Sequence, residues 1–164
     1  MAPAPKPGLN ERARAGVASI LRHALAEELL LTSTTRGFSG TVPNFHSLHR
    51  LFADQYRQLE RWVDQLALRA WSLVPSAGAE GKMEELAAAR CVELEERVPA
   101  STMVAELLAL HEQLAERLRD DVRKCSQTLG DPVTAAVLQR LVEFHETTAW
   151  LLRMVGQGVE PARV

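Results

Sequence analysis

The chain has 164 residues, 46% of them hydrophobic, with 19 basic against 21 acidic side chains and a formal charge of −2. That is enough for one domain with a real core, and the balance is not that of a basic nucleic-acid binder. No apolar run approaches the roughly 18 residues of a membrane span and the N-terminus has no signal-peptide core, so the expected location is the cytoplasm, with no membrane partner.

Met1 to Gly8 holds three prolines and one lysine and reads as a flexible tail. Asn10 is placed to cap a first helix, with Glu11 favouring the dipole of its first turn. Val17, Ile20, Leu21, Ala24, Leu25, Glu28 and Leu31 form that helix's seam, which should end near Arg36. Gly37 and Gly40, with the short polar run between them, predict a turn into the second helix.

The second helix has the clearest pattern. Phe45, Leu48, Phe52, Tyr56, Leu59, Val63, Leu66, Ala70 and Leu73 are separated by 3, 4, 4, 3, 4, 3, 4 and 3 residues, the period of a helix buried along one stripe. Pro43 suits the first turn, and the helix should stop near Pro75 and Gly78. A loop follows to Gly81. Met83 to Glu95 favours helix but lacks large apolar residues, so it reads as a short extra helix inside a long connection ending before Pro99.

Ser101 opens a third long helix with its seam at Met103, Leu107, Leu110, Leu114, Leu118, Val122 and Cys125. In Gly130-Asp131-Pro132, Gly ends one helix, Asp caps the next and Pro takes its first turn. The fourth helix shows Val137, Leu141, Phe144, Thr148, Leu151 and Val155 on one stripe and stops at Gly156. The expectation is an all-α, four-helix bundle over residues 9–156, with one long crossover and tails at 1–8 and 157–164.

On the second helix, His46, His49, Ala53, Tyr56, Glu60 and Asp64 lie on a second, polar stripe. His49 and Asp64 are 15 residues apart, about 22 Å at 1.5 Å per residue, so they cannot share a metal within one chain. They meet only if a second copy of the helix packs antiparallel across a two-fold axis, which would build two such sites. No Glu-x-x-His and no His-Glu-x-x-His occurs, which argues against a di-iron site inside one subunit and against a zincin.

The pattern P-x-F-x-x-L-H-x-x-F-x-x-x-Y-x-x-L followed by V-D-x-x-A-x-R is carried here by Pro43, Phe45, Leu48, His49, Phe52, Tyr56, Leu59, Val63, Asp64, Ala67 and Arg69. It resembles the second helix of the Dps mini-ferritins. His145 to Arg153, with Trp150, is similar to that family's last helix, and the likeness spans about Arg12 to Val155. The resemblance implies a ferritin-like bundle, assembly into a hollow twelve-subunit homo-oligomer, iron as substrate and cargo, and protection against peroxide chemistry. It implies a short extra helix in the crossover, on the two-fold contact, and a ferroxidase site between subunits.

Only His49 and Asp64 match that site's ligands. Gly37 begins the run where the family has a His, Ala53 stands where it has an Asp, and Leu68 where it has a Glu, so three of five ligands are absent. Asp54 is one position from Ala53, about 100° round the helix. Iron favours imidazole with carboxylate oxygens, so with two side chains left Fe(II) oxidation should be weakened or lost. The chain is then a ferroxidase-type oxidoreductase by resemblance only. Two alternatives stand beside it. One is a non-catalytic shell or scaffold, co-assembling with an active paralogue. The other is a rebuilt site, His46 and His49 facing Glu60 and Asp64 of a second copy, for zinc or iron.

Lys6, Arg12 and Arg14 are too sparse for more than weak DNA binding, lost at physiological salt. Trp62, Trp71 and Trp150 read as core or subunit-contact anchors, and His23, His111 and His145 as isolated helix histidines, solvated or hydrogen-bonded. Glu93, Glu95 and Glu96 read as a solvated acidic face. Cys91 and Cys125 form no CxxC pair and read as reduced, half-buried fillers.

Overall fold

The computed structural model describes residues 8–42, 46–73 and 98–158. The expected extra helix at 83–95, residues 1–7 and 159–164 of the tails, Pro43, Phe45, Cys91 and the acidic run at 93–96 lie outside them. Among the described residues there are four long helices and no strand: α1 (Glu11–Thr41), α2 (His46–Leu73), α3 (Ala100–Arg123) and α4 (Pro132–Gly156).

Each start signal acts through a backbone donor the helix leaves unpaired. The Asn10 side chain accepts from Ala13 N at 2.8 Å. Asp131 accepts from Val133 N and Thr134 N at 3.1 Å each, with Pro132 in the first turn. Gly130 adopts φ +66, the left-handed conformation that ends the preceding segment. Before it, α3 passes into a π-helical turn, Lys124–Thr128, which seats Cys125 fully in the core rather than half-buried.

The first helix is longer than the sequence suggests. It runs through Gly37 and Gly40 to Thr41, so the expected turn there is absent. Phe38, 1% exposed, anchors the added turn in the core. The Val42 N–H and the Thr41 hydroxyl bond the carbonyls of Phe38 and Gly37. Burial of one large ring outweighs the roughly 1 kcal/mol helix penalty of each glycine.

Cross-helix contacts set the directions. Ser39 meets His49, and Arg36 lies over Tyr56, so α1 and α2 are antiparallel. Glu27 pairs with Arg117, and Gly16 lies against Leu129, so α3 is antiparallel to α1 as well. Arg69 bonds Asp131 and Thr134 while Trp62 packs on Phe144, which sets α4 antiparallel to α2. Thus α2 and α3 are parallel, and Leu73 and Val98 lie at opposite ends of the bundle. That arrangement of the described helices is the one found in bundles with a long crossover.

The core contains Val17, Leu21, Leu25, Phe52, Leu59, Leu66, Leu107, Leu118, Leu138 and Leu152, all within 1% of full burial. The α4 stripe sits one residue from its expected place at both ends. Leu138 and Leu152 are buried, whereas Leu151 is 39% exposed and Val137 half-buried. Leu141 and Thr148 are inside as expected.

Candidate functional site

The polar stripe of α2 lies on the surface. His49 is exposed and its Nδ1 is 2.6 Å from the Ser39 carbonyl. A carbonyl can only accept, so Nδ1 carries the hydrogen and Nε2 keeps the lone pair a metal would use. Asp64 is exposed beside Glu60, Arg57 and Arg61 in a shallow groove against Leu29 and Thr32 of α1. Asp54 is engaged by Arg57 at 2.6 Å. The Tyr56 hydroxyl donates to Glu60 Oε1 at 2.5 Å, and that bond to a carboxylate raises the phenol's pKa.

His49 and Asp64 make no contact within the chain, as their spacing on a single helix requires. The side chain of His46 and all of Lys6 lie outside the described residues. Arg12 is exposed and Arg14 half-buried at the start of α1. Of the three positions where the resemblance leads one to expect a ligand, Gly37 is inside α1, Ala53 is half-buried, and Leu68 is 62% exposed. Among the described residues no group of three or more His, Cys, Asp or Glu could hold a metal ion. The α2 face therefore offers donors of the type Fe(II) takes, but too few in one subunit to enclose it.

A second polar cluster was not foreseen. Glu28 of α1, His111 of α3 and His145 of α4 are each 0% exposed. His145 Nε2 lies 2.6 Å from Glu28 Oε1, and the two histidine Nδ1 atoms are 2.8 Å apart. The expectation of hydrogen-bonded histidines fits His111 and His145, but they are not isolated. Burial first, and then His145, push the pKa of His111 down to about 3. The ring of Phe144 packs edge-on to both imidazoles.

A sequence signal for this cluster existed. Each of the three residues falls at a three- or four-residue step on an apolar seam: Glu28 between Leu25 and Leu31, His111 between Leu107 and Leu114, His145 between Leu141 and Thr148. A polar residue on the buried stripe of three helices points to an interior meeting place.

Comparison with known proteins agrees with the bundle. A ferritin-like domain family model matches residues 18–157. The uncharacterized low temperature-induced protein all0458 of Nostoc sp. (strain PCC 7120) is 37% identical over 161 residues, covering 94% of this chain and 88% of its own. Its homolog in Anabaena variabilis matches to the same extent.

Among solved structures, Mycobacterium smegmatis Dps superposes with a TM-score of 0.78 at 24% identity, covering 99% of this chain and 96% of its own. Thermosynechococcus elongatus Dps gives 0.74 at 23%, covering 88% and 92%. The Vibrio cholerae O1 Dps protein, described as a member of a broad superfamily of ferritin-like diiron-carboxylate proteins, gives 0.75 at 23%, covering 94% and 98%. At these identities the likeness is one of fold. With the Dps fold and the family match over most of its length, the chain belongs to the ferritin-like domain family.

Proposed function

We propose that this protein is a Dps-like mini-ferritin that binds and stores iron and limits oxidative damage, with Fe(II) oxidation weakened or lost. The observation that supports it most is the α2 surface, where His49 is oriented by Ser39 and Asp64 stands open, while Ala53 and Leu68 supply no donor. Iron enters as substrate and cargo. His49 and the partner copy's equivalent of Asp64 would bind it, joined by Asp54 or His46, with Glu60 as a further auxiliary. We place assembly as a twelve-subunit homo-oligomer in the cytoplasm, with DNA bound weakly or not at all.

The exposed Leu68, apolar where a ligand carboxylate would serve, favours a second reading: a non-catalytic shell, co-assembling with an active paralogue or holding zinc. The test is absorbance in the ferric-oxo region after Fe(II) and peroxide are added. Slow growth above a protein-free blank, reduced several-fold by His49→Ala or Asp64→Asn, supports the iron reading. The double change Ala53→Asp and Leu68→Glu should restore faster oxidation by returning two carboxylates. Growth no faster than the blank in the wild type and in the double variant, together with no Fe(II) bound in a titration of the wild type, leaves the non-catalytic shell.

A further inference from the structure

Glu28, His145 and His111 lie in a line, because the two contacts of His145 use opposite nitrogens of one ring. No point is within reach of three donors, which fits a hydrogen-bond chain better than a cation cage. Each of its two gaps must contain a hydrogen. Glu28 and His145 share one across 2.6 Å; between the two Nδ1 atoms, one ring must donate.

A His111 cation donating at Nδ1 would put its charge a full ring away from Glu28, with no acceptor at Nε2, so two proton inventories with a neutral His111 are left. If His111 then donates, both imidazoles are neutral and the interior holds a bare carboxylate charge. If His145 donates, the chain carries one more proton and its net charge is zero, whether the shared proton sits nearer Oε1 or Nε2. Interiors penalise an uncompensated charge heavily, so the second inventory is the stable one. His111 is then a neutral acceptor at Nδ1 with its hydrogen on Nε2, and Nε2 is buried without a hydrogen-bond partner.

We propose that Glu28, His145 and His111 form a one-proton lock tying α1 to α3 and α4, which acid releases because His111 cannot take a second proton while buried. A second proton would place a positive ring beside His145 with no acceptor for it. The depressed pKa of His111, about 3 against 6.5, agrees with this. Among the described residues, the acidic side chains next to Glu28, His111 and His145 in sequence are already paired. Glu27 pairs with Arg117, Glu112 with Arg153 and Glu146 with Arg119, all toward solvent. The buried residues of α2 include Gln55 but no titratable side chain among those described.

The sign follows from proton counts. Between about pH 6.5 and 3 the unfolded chain binds a proton at residue 111 that the folded chain refuses. The contribution of residue 111 is therefore full above 6.5 and is lost as the pH drops. One such proton lowers the folding constant about tenfold per pH unit.

The test uses the full chain at fixed concentration, with imidazole ¹⁵N spectra and urea unfolding from pH 4 to 8. We expect His111 to stay neutral, with its hydrogen on Nε2, down to about pH 4.5. His111→Asn keeps an acceptor for His145 but cannot titrate, so its unfolding should lose the tenfold-per-unit slope below pH 6.5. An unchanged slope in that variant overturns the proposal, as does titration of His111 near 6.5 in the folded protein. Were the variant not to fold, the wild-type spectra decide by the same criterion. Displacement of both imidazole signals by Zn²⁺ would show a metal in place of the proton and would also overturn it.

Discussion

At the scale of single residues, Asp131 joins two helices through several bonds. It caps α4, accepts from the Thr134 hydroxyl at 2.5 Å and bonds Arg69 Nη2 at 2.9 Å. Burial pushes its pKa up, but the Thr134 and Arg69 bonds outweigh burial and leave it below the usual carboxylate value. A depressed folded pKa contributes stability above the unfolded value, near 3.9, and that contribution is lost as pH falls through the folded one. Asp131→Ala should therefore lose about 2 to 3 kcal/mol at pH 7, from a missing cap and a stranded guanidinium. Urea unfolding should show the gap to wild type narrowing below about pH 4. Close by, burial and then the Asp131 and Asp121 charges push the Cys125 thiol up to about 11. In a Cys91→Ser background, Cys125 should resist alkylation at pH 8 until urea unfolds the chain.

At the scale of elements, local signals and core packing compete. Gly130 has open space around the position of a Cβ, so Gly130→Ala meets no atom, but its φ of +66 still penalises a side chain. That change should lower stability by about 1 kcal/mol, or about 2 to 4 °C in thermal midpoint. The Gly-Asp-Pro signal was legible because each residue acts on backbone within a few positions of itself. The glycines at 37 and 40 misled because the force extending α1 comes from Phe38 entering a core built by distant residues. The stripe on α4 shifted by one because Val137, Leu138, Leu151 and Leu152 form adjacent apolar pairs, and periodicity alone cannot choose within a pair.

At the scale of the whole molecule, the apolar surface left uncovered points to assembly. Trp150 is 56% exposed and Met154 52%, one turn apart near the end of α4, with Leu151 beside them. On α2, Leu68 and Trp71 are likewise open. Groups of that size at one end of a helix mark a contact surface more often than a solvated one. Replacing Trp150 and Met154 together by Glu should change subunit stability by no more than about 0.5 kcal/mol, since neither is in the core. If these side chains form a subunit contact, light scattering should report a smaller particle than the wild type. An unchanged mass would place the subunit contacts elsewhere.

The sequence by itself determined the four long helices, the caps at Asn10 and Asp131, and the polar stripe of α2 with His49 and Asp64. Those features depend on the 3.6-residue period and on groups adjacent in the chain. It also carried Gly37, Ala53 and Leu68, residues without a metal donor at the positions where the resemblance expects ligands, which is a matter of residue identity. Only the tertiary structure decided that α1 outruns its glycines and that Glu28, His111 and His145 meet. Those outcomes require helices far apart in sequence to converge, since Glu28 and His145 are separated by 117 residues. Three polar residues on three seams were visible beforehand, but their distance from one another was set by helix packing, which no spacing within a single helix encodes.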